Sequence, residues 1–156
     1  MAGFFVRPVR RRMIMPERTA TAVWQGPVPE GKGEISLGSG MFDAAYSFGS
    51  RFESDPGTNP EELLGAAHAG CFTMALALGL SQAGHPPARI DTEARVAITK
   101  VPEGFRIPYV ELRTRATVPG ITQEAFQQEA ERAKTGCPVS LALAGTDIRL
   151  SAELIE

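Results

Sequence analysis

The stretch from Asn59 to Gly84 constrains the fold more than any other part of this 156-residue chain. Asn59 is a good N-cap, Pro60 suits the first helical position, and Glu62 stands where a capping box requires it. The residues that follow, LLGAAHAGCFTMALALGLSQAG, are apolar nearly all round, which predicts a central, buried helix. Its small residues allow another segment to approach closely. Gly84 and the two prolines that follow it end the helix.

Strand and turn patterns lie on both sides of this helix. Three strands are predicted before it, in TATAVWQG, EISLGSG and AAYSFGSRFE. Two paired strands joined by the turn PEG are predicted after it, in ARIDTEARVAITKV and FRIPYVELRTRATV. An amphipathic helix is predicted next, in TQEAFQQEAERAKTG, followed by a short helix capped by Cys137, in CPVSLALAG. A last strand is predicted in TDIRLSAELIE. The order βββ–α–ββ–α–α–β predicts an α+β fold with an antiparallel sheet packed on the buried helix.

Composition and charge exclude several classes of protein. Hydrophobic residues are 43% of the chain and charged residues 22%, which is typical of a globular domain, and the length predicts a single one over residues 15–156. The net charge of −2 argues against a nucleic-acid partner. The apolar stretch 63–83 contains His68 and several glycines, so we expect no membrane span. We expect residues 1–14 to form a loose extension or a functional arm, and the protein to be cytoplasmic.

The chain has two cysteines, Cys71 and Cys137, too few for a disulfide-stapled scaffold, and its two histidines permit no zinc-ligand spacing. A cysteine on a buried helix is first of all a small hydrophobic residue, and this applies to Cys71. Cys137 lies in the polar junction TGCPVS, at the start of a helix, where backbone N–H groups stabilise a thiolate. By this reasoning alone, Cys137 is the more acidic thiol.

The sequence around the two cysteines resembles that of a known family. RFESDPGTNPEELLGAAHAGCFTMAL and KTGCPVS resemble the OsmC/Ohr family of thiol-dependent hydroperoxide reductases, and AAHAGC matches the OsmC branch best. The resemblance extends from about Thr19 to the C-terminus. It implies an intertwined homodimer with two sites at the subunit interface, and a stress-related peroxidase that reduces organic hydroperoxides to alcohols. It also implies no metal, haem or flavin, and recycling by an external dithiol of the lipoyl type.

The resemblance assigns a role to four residues. Cys71 looks like the peroxidatic cysteine and Cys137 like the resolving one, which condenses with the Cys71 sulfenic acid to a disulfide. Arg51 matches the arginine that contacts the reactive thiolate, and Glu61 the carboxylate that holds this arginine. These residue types suit the reaction, because a free cysteine is only about 3% thiolate near pH 7 and an arginine never loses its charge.

Other interpretations of the same residues stay open. His68 lies three positions before Cys71, on one face of the helix, and is either a packed core residue or a base. A Cys71–His68 pair would suit a thiol hydrolase or transferase, which would not need Cys137. A non-catalytic, small-molecule-binding stress protein is the third alternative. Tyr46, Phe48 and Phe52 either line an apolar mouth that favours organic peroxides or are edge packing.

Overall fold

Eight strands and four helices make up residues 16–155, the part of the chain that this computed structural model describes. The predicted extension, residues 1–14, lies outside the described residues. The strands are β1 (Ala20–Gln25), β2 (Lys32–Leu37), β3 (Asp43–Ser47), β4 (Arg89–Val96), β5 (Thr99–Val101), β6 (Gly104–Arg106), β7 (Tyr109–Thr117) and β8 (Asp147–Leu154). The helices are α1 (Phe48–Phe52), α2 (Pro60–Gln82), α3 (Gln123–Gly136) and α4 (Pro138–Ala142).

The strands form two three-stranded sheets and one hairpin. β1, β2 and β3 pair in sequence order and antiparallel, and β5 pairs with β6. The main sheet has the order β4–β7–β8, in which β4 is antiparallel to β7 but β8 is parallel to it. The α+β class is confirmed, whereas the purely antiparallel sheet was wrong. The chain crosses from β7 to β8 through α3 and α4, and such a crossover returns it to the same end of the sheet.

Three of the predicted strands are divided differently in the structure. The third strand ends at Ser47, and the residues FGSRF form α1 instead. Ser47 and Ser50 cap each other there: the Ser50 N–H donates to Ser47 Oγ at 3.0 Å and the Ser47 N–H to Ser50 Oγ at 2.8 Å. The two long strands predicted after α2 are each broken, so that β4 pairs with β7 while β5 and β6 form the separate hairpin.

The helix α2 begins where the sequence predicted, but it is not buried all round. Asn59 Oδ1 accepts a hydrogen bond from the Glu62 N–H at 2.8 Å, and Pro60 is the first helical residue. By length and composition alone the helix could cross a membrane, a property that the core helix of a folded domain can share, and 28% of its most apolar segment is buried. Met74 and Leu78 are 76% and 59% exposed. One apolar face of α2 is therefore uncovered in the isolated subunit.

The other face of α2 forms the core and positions the cysteines. Phe72, Leu76 and Leu80, each four residues apart, are fully buried together with residues of β7 and α3. Residues alternate along β7, as expected for a strand with one buried face: Val110, Leu112 and Thr114 point inward. Cys137, at the junction of α3 and α4, belongs to the same cluster, and Cys71 packs against it. The core thus brings the α3–α4 junction against the middle of α2.

Candidate active site

The two cysteines meet at the edge of the core. Cys71 lies about three turns into α2, and Cys137 stands between the end of α3 and Pro138, the first residue of α4. Their sulfur atoms are 2.8 Å apart, within hydrogen-bonding distance of each other. Both are free thiols; Cys137 is fully buried, whereas Cys71 is partly exposed. A small oxidant from solvent can reach only Cys71, and condensation of the two sulfurs needs little movement.

The two thiols have pKa values shifted in opposite directions. Burial raises the pKa of Cys71 above its ordinary value, and the Cys137 thiol raises it further. Burial acts the same way on Cys137, but hydrogen bonds from Cys71, Ser140 and the Val139 backbone outweigh it and hold the pKa of Cys137 below its ordinary value. In the isolated subunit, Cys137 is therefore the more acidic thiol, as its place at the start of α4 predicted.

Arg51 and Glu61 form the predicted ion pair. The Arg51 guanidinium donates through Nε to both Glu61 carboxylate oxygens at 3.1 Å, and through Nη2 to Oε1 at 2.7 Å. The Glu61 side chain is 9% exposed and that of Arg51 36%. The α1 capping serines and the bond of the Asn59 side chain to the Ser50 carbonyl fix the backbone on both sides of the pair. The guanidinium is thus held in one orientation.

The Arg51–Glu61 ion pair and the Cys71–Cys137 thiol pair do not meet within one subunit. Glu61 and Cys71 are ten residues apart on the same helix, which corresponds to a rise of about 15 Å. Within residues 16–155, the hydrogen bonds of the Arg51 side chain all go to Glu61 and none to Cys71. The role of Arg51 at the Cys71 thiolate, and with it the assignment of Cys71 as the peroxidatic residue, stays a prediction.

His68 does not act on Cys71 directly. Its ring is fully buried and Nε2 lies 2.8 Å from Ser140 Oγ, while its Nδ1 has no partner among the residues that the structure describes. A cysteine–histidine pair for hydrolysis is therefore not formed in this part of the chain. The sequence reasoning missed Ser140; its position three residues after the cap Cys137 was the available signal, because that position reaches back to the cap.

Aromatic side chains line a cleft beside Arg51. Trp24, Tyr46, Phe48 and Phe52 surround a space of about 180 Å³, and the Arg51 guanidinium lies 5.1 Å from the Phe52 ring centre. The three aromatic residues proposed from sequence thus share one cleft. The sequence analysis did not anticipate two further aromatic residues, Trp24 of β1 and Phe105 of β6. The ring centre of Phe105 is 4.7 Å from that of Phe52. They come from strands remote in sequence, so no local pattern identifies them.

The described residues contain no group of three or more His, Cys, Asp or Glu side chains placed to bind a metal ion. The chemically reactive groups near the core edge are the two thiols.

The family model described as "OsmC-like protein" matches residues 52–151. The chain is 49% identical to the Peroxiredoxin OsmC of Escherichia coli strain K12 over 123 residues, which are 78% of this chain and 86% of that protein. It is 36% identical to the Organic hydroperoxide resistance protein of Xanthomonas axonopodis pv. citri over 97 residues, 61% of this chain and 66% of the relative.

Solved structures share the fold. An organic hydroperoxide resistance protein from Elizabethkingia anophelis superposes with a TM-score of 0.69 at 27% identity, covering 91% of this chain and all of the other. An OsmC-like protein from Mycoplasma pneumoniae superposes with a TM-score of 0.73 at 14% identity, over 92% of this chain and all of the other. The latter similarity concerns the fold alone.

Proposed function

The chain belongs to the OsmC-like protein family, and from this membership we propose that it reduces organic hydroperoxides to alcohols through its two cysteines. It is a thiol peroxidase, and its 49% identity to a Peroxiredoxin OsmC over 123 aligned residues supports this activity. The observation that supports the two-cysteine cycle is the pair itself: one thiol open to solvent, and a second, buried and acidic, 2.8 Å away.

The proposed first step oxidises Cys71. Its thiolate attacks the hydroxyl oxygen of the peroxide, an S–O bond forms, the O–O bond breaks, and the alkoxide leaves and takes up a proton to become the alcohol. The Cys137 thiolate then displaces hydroxide from the Cys71 sulfenic acid, which gives a disulfide and water. An external dithiol, of the lipoyl type, reduces this disulfide by thiol–disulfide exchange. Because such a reductant requires a reducing compartment, we place the protein in the cytoplasm.

We propose that a homodimer completes the site. Cys71 needs a nearby cation to become a thiolate, since burial in the isolated subunit raises its pKa. The Arg51–Glu61 pair of the same chain lies about 15 Å along the helix, so the cation at Cys71 comes from the partner subunit. The aromatic cleft next to Arg51 then faces the same site and favours organic peroxides, because its walls are apolar.

The exposed face of α2 supports the same dimer. Ala66, Gly70, Met74 and Leu78 are four residues apart and all exposed, so they form one apolar stripe along the helix. Small residues at its N-terminal half permit a close approach of a second helix, and a Cβ on Gly70 would meet nothing within 4 Å in the isolated subunit. A second copy of the chain that covers this stripe would remove the apolar surface from water.

We expect Met74→Glu to dissociate the dimer, because the substitution buries an unpaired charge in the interface. The dissociation constant, measured by sedimentation equilibrium, should rise by at least about 100-fold. Met41→Glu is the matched control: Met41 is 85% exposed in the turn between β2 and β3, outside the stripe. Equal dissociation constants for the two variants would contradict the proposed interface.

The peroxidase cycle is tested most directly by intact mass after one equivalent of cumene hydroperoxide. We expect the wild-type chain to lose two hydrogens and both free thiols, with one equivalent of alcohol formed. If both thiols persist after the oxidant is added, the cycle is wrong and the small-molecule-binding alternative takes its place. A gain of one oxygen with retention of the Cys137 thiol would instead contradict the disulfide step alone.

A further inference from the structure

A buried histidine next to the cysteine pair has no task in the peroxide step. His68 is fully buried on α2, one turn before Cys71, and its single hydrogen bond in residues 16–155 joins Nε2 to Ser140 Oγ at 2.8 Å. Burial alone lowers the pKa of His68 below its ordinary value. The ring is therefore neutral near pH 7 and has one N–H to place.

Ser140 connects this histidine to the resolving thiol. It is the third residue after Cys137, in the first turn of α4, and it is 5% exposed. Its hydroxyl and its backbone N–H each act to lower the pKa of Cys137, which stabilises the thiolate. A serine hydroxyl has one proton and two lone pairs, and the proton rotates to whichever acceptor is best. If His68 donates a hydrogen bond to a lone pair of Ser140 Oγ, the Ser140 hydroxyl proton is free to point at another acceptor.

We propose, on the basis of the two-cysteine cycle above, that His68 is a positioning residue for disulfide formation: its Nε2–H donates to Ser140 Oγ and thereby directs the Ser140 hydroxyl proton to Cys137 Sγ. We place the imidazole proton on Nε2 because the single N–H of the neutral ring then donates to Ser140 Oγ, the hydrogen-bond partner that the described residues provide. Nδ1 then keeps a lone pair, and no donor is left buried without an acceptor. The chain of donors ends on the sulfur, where it stabilises negative charge.

The step that this arrangement assists consumes no proton from His68. The Cys137 thiol has released its proton to solvent before the attack. The Cys137 thiolate attacks the Cys71 sulfur, the S–S bond forms, the S–O bond breaks, and the leaving hydroxide takes a proton from solvent to become water. Cys137 is oxidised and the sulfenic sulfur of Cys71 is reduced. His68 stays neutral throughout, because its role is to keep the Ser140 hydroxyl pointed at Cys137.

The groups that act on Cys137 are few, which makes its titration interpretable. From α2 these are Cys71 and, through Ser140, His68; from α4 they are Ser140 and the Val139 N–H. The charged residues in the last turns of α3 are paired with one another: Lys134 with Glu131 at 2.7 Å, and Arg132 with Glu129 at 2.5 Å. In a Cys71→Ser chain, Cys137 is the only thiol left, and its thiolate can be titrated by ultraviolet absorbance without any peroxide.

In this Cys71→Ser background we expect His68→Leu to raise the pKa of Cys137 and to reduce its thiolate near pH 7 by about tenfold, the equivalent of one pKa unit. His68→Gln is the matched control, because its side-chain amide offers an N–H donor in the region of Nε2 and should restore most of the thiolate. An unchanged pKa of Cys137 in His68→Leu overturns the proposal. A lowered pKa overturns it as well, since the hydrogen bonds would then run from Cys137 to His68.

A substitution of Ser140 tests the same link between His68 and Cys137 independently. Ser140→Ala deletes a single oxygen and should raise the pKa of Cys137 at least as much as His68→Leu. The double variant should add nothing to Ser140→Ala, because His68 acts only through that hydroxyl. Full additivity of the two substitutions would contradict the proposal. Because these titrations involve no oxidant, they remain decisive even if the peroxidase cycle itself fails.

The consequence for the cycle is confined to its second step. In chains with both cysteines, disulfide formation after one equivalent of cumene hydroperoxide should slow by about threefold in His68→Leu, because the greater nucleophilicity of the more basic thiolate partly offsets the loss of thiolate. The first step, followed as loss of the Cys71 thiol, should keep its rate within about twofold. Slowing of the first step by the same factor as the second would indicate a general structural effect and contradict the specific role.

Discussion

Cys71→Ser will abolish the reduction of cumene hydroperoxide, with a loss of at least about 1000-fold, because it removes the thiol that solvent reaches and leaves the buried Cys137. Cys137→Ser will react once at the wild-type rate and then stop, with Cys71 trapped as a sulfenic acid. The fully buried Cys137 cannot take over the first step in Cys71→Ser, although it is the more acidic thiol of the isolated subunit.

The two variants separate acidity from access. The measurement is alcohol formed per chain, first with one equivalent of peroxide and then with excess peroxide and a lipoyl-type dithiol, together with dimedone labelling of the sulfenic acid. If Cys71→Ser retains the first turnover and Cys137→Ser loses it, the order of the two cysteines is reversed and acidity decides reactivity. If both variants lose the first turnover, neither thiol acts alone and the stepwise cycle is wrong.

Arg51→Leu will slow the reaction of Cys71 with cumene hydroperoxide by about 100-fold, comparable to removal of one preorganised donor from an anionic transition state. Arginine stabilises the thiolate and the departing alkoxide, and leucine does neither. Stopped-flow loss of the Cys71 thiol gives the rate directly. Arg95→Leu is the matched control, since Arg95 also pairs with a glutamate, Glu93, but on an exposed strand, and it should leave the rate unchanged.

Glu61→Gln will have a smaller effect than Arg51→Leu, because it leaves the arginine in place but loosens its orientation. The structure holds Arg51 through three contacts to Glu61, and an amide replaces at most one carboxylate oxygen as acceptor. We expect a loss of about tenfold. A loss equal to that of Arg51→Leu would show that the guanidinium leaves the site entirely when the carboxylate is removed.

Mixed dimers test whether Arg51 reaches Cys71 from the partner subunit. Neither Cys71→Ser nor Arg51→Leu is active alone, but a dimer with one chain of each kind has one intact site if the site is shared. Half of the dimers from equal co-expression are mixed, so about a quarter of the wild-type rate should return. If the mixed preparation shows no more than the average of its two parents, Arg51 acts on the Cys71 of its own chain.

The helix α2 shows how far local signals reach. Its start was predictable because Asn59 and Pro60 determine the first turn by their own chemistry, independent of what packs around them. The prediction that α2 is buried all round was wrong for the isolated subunit. An apolar helix face has the same sequence pattern whether the core of its own chain or a second chain covers it. Likewise, the alternating pattern continues into FGSRF and predicts a strand there, whereas the Ser47–Ser50 capping box ends the strand and starts α1.

Local sequence was sufficient to predict the α+β class, the helix that bears Cys71, the N-cap position of Cys137 and the residue types needed for thiol chemistry, because these follow from short-range propensities and side-chain chemistry. Three features required the packed structure: β8 runs parallel to β7, the two sulfurs lie 2.8 Å apart, and His68 bonds to Ser140 rather than to Cys71. These are contacts between residues far apart in the chain. They depend on how the core packs α3 and α4 against α2, which no local pattern records.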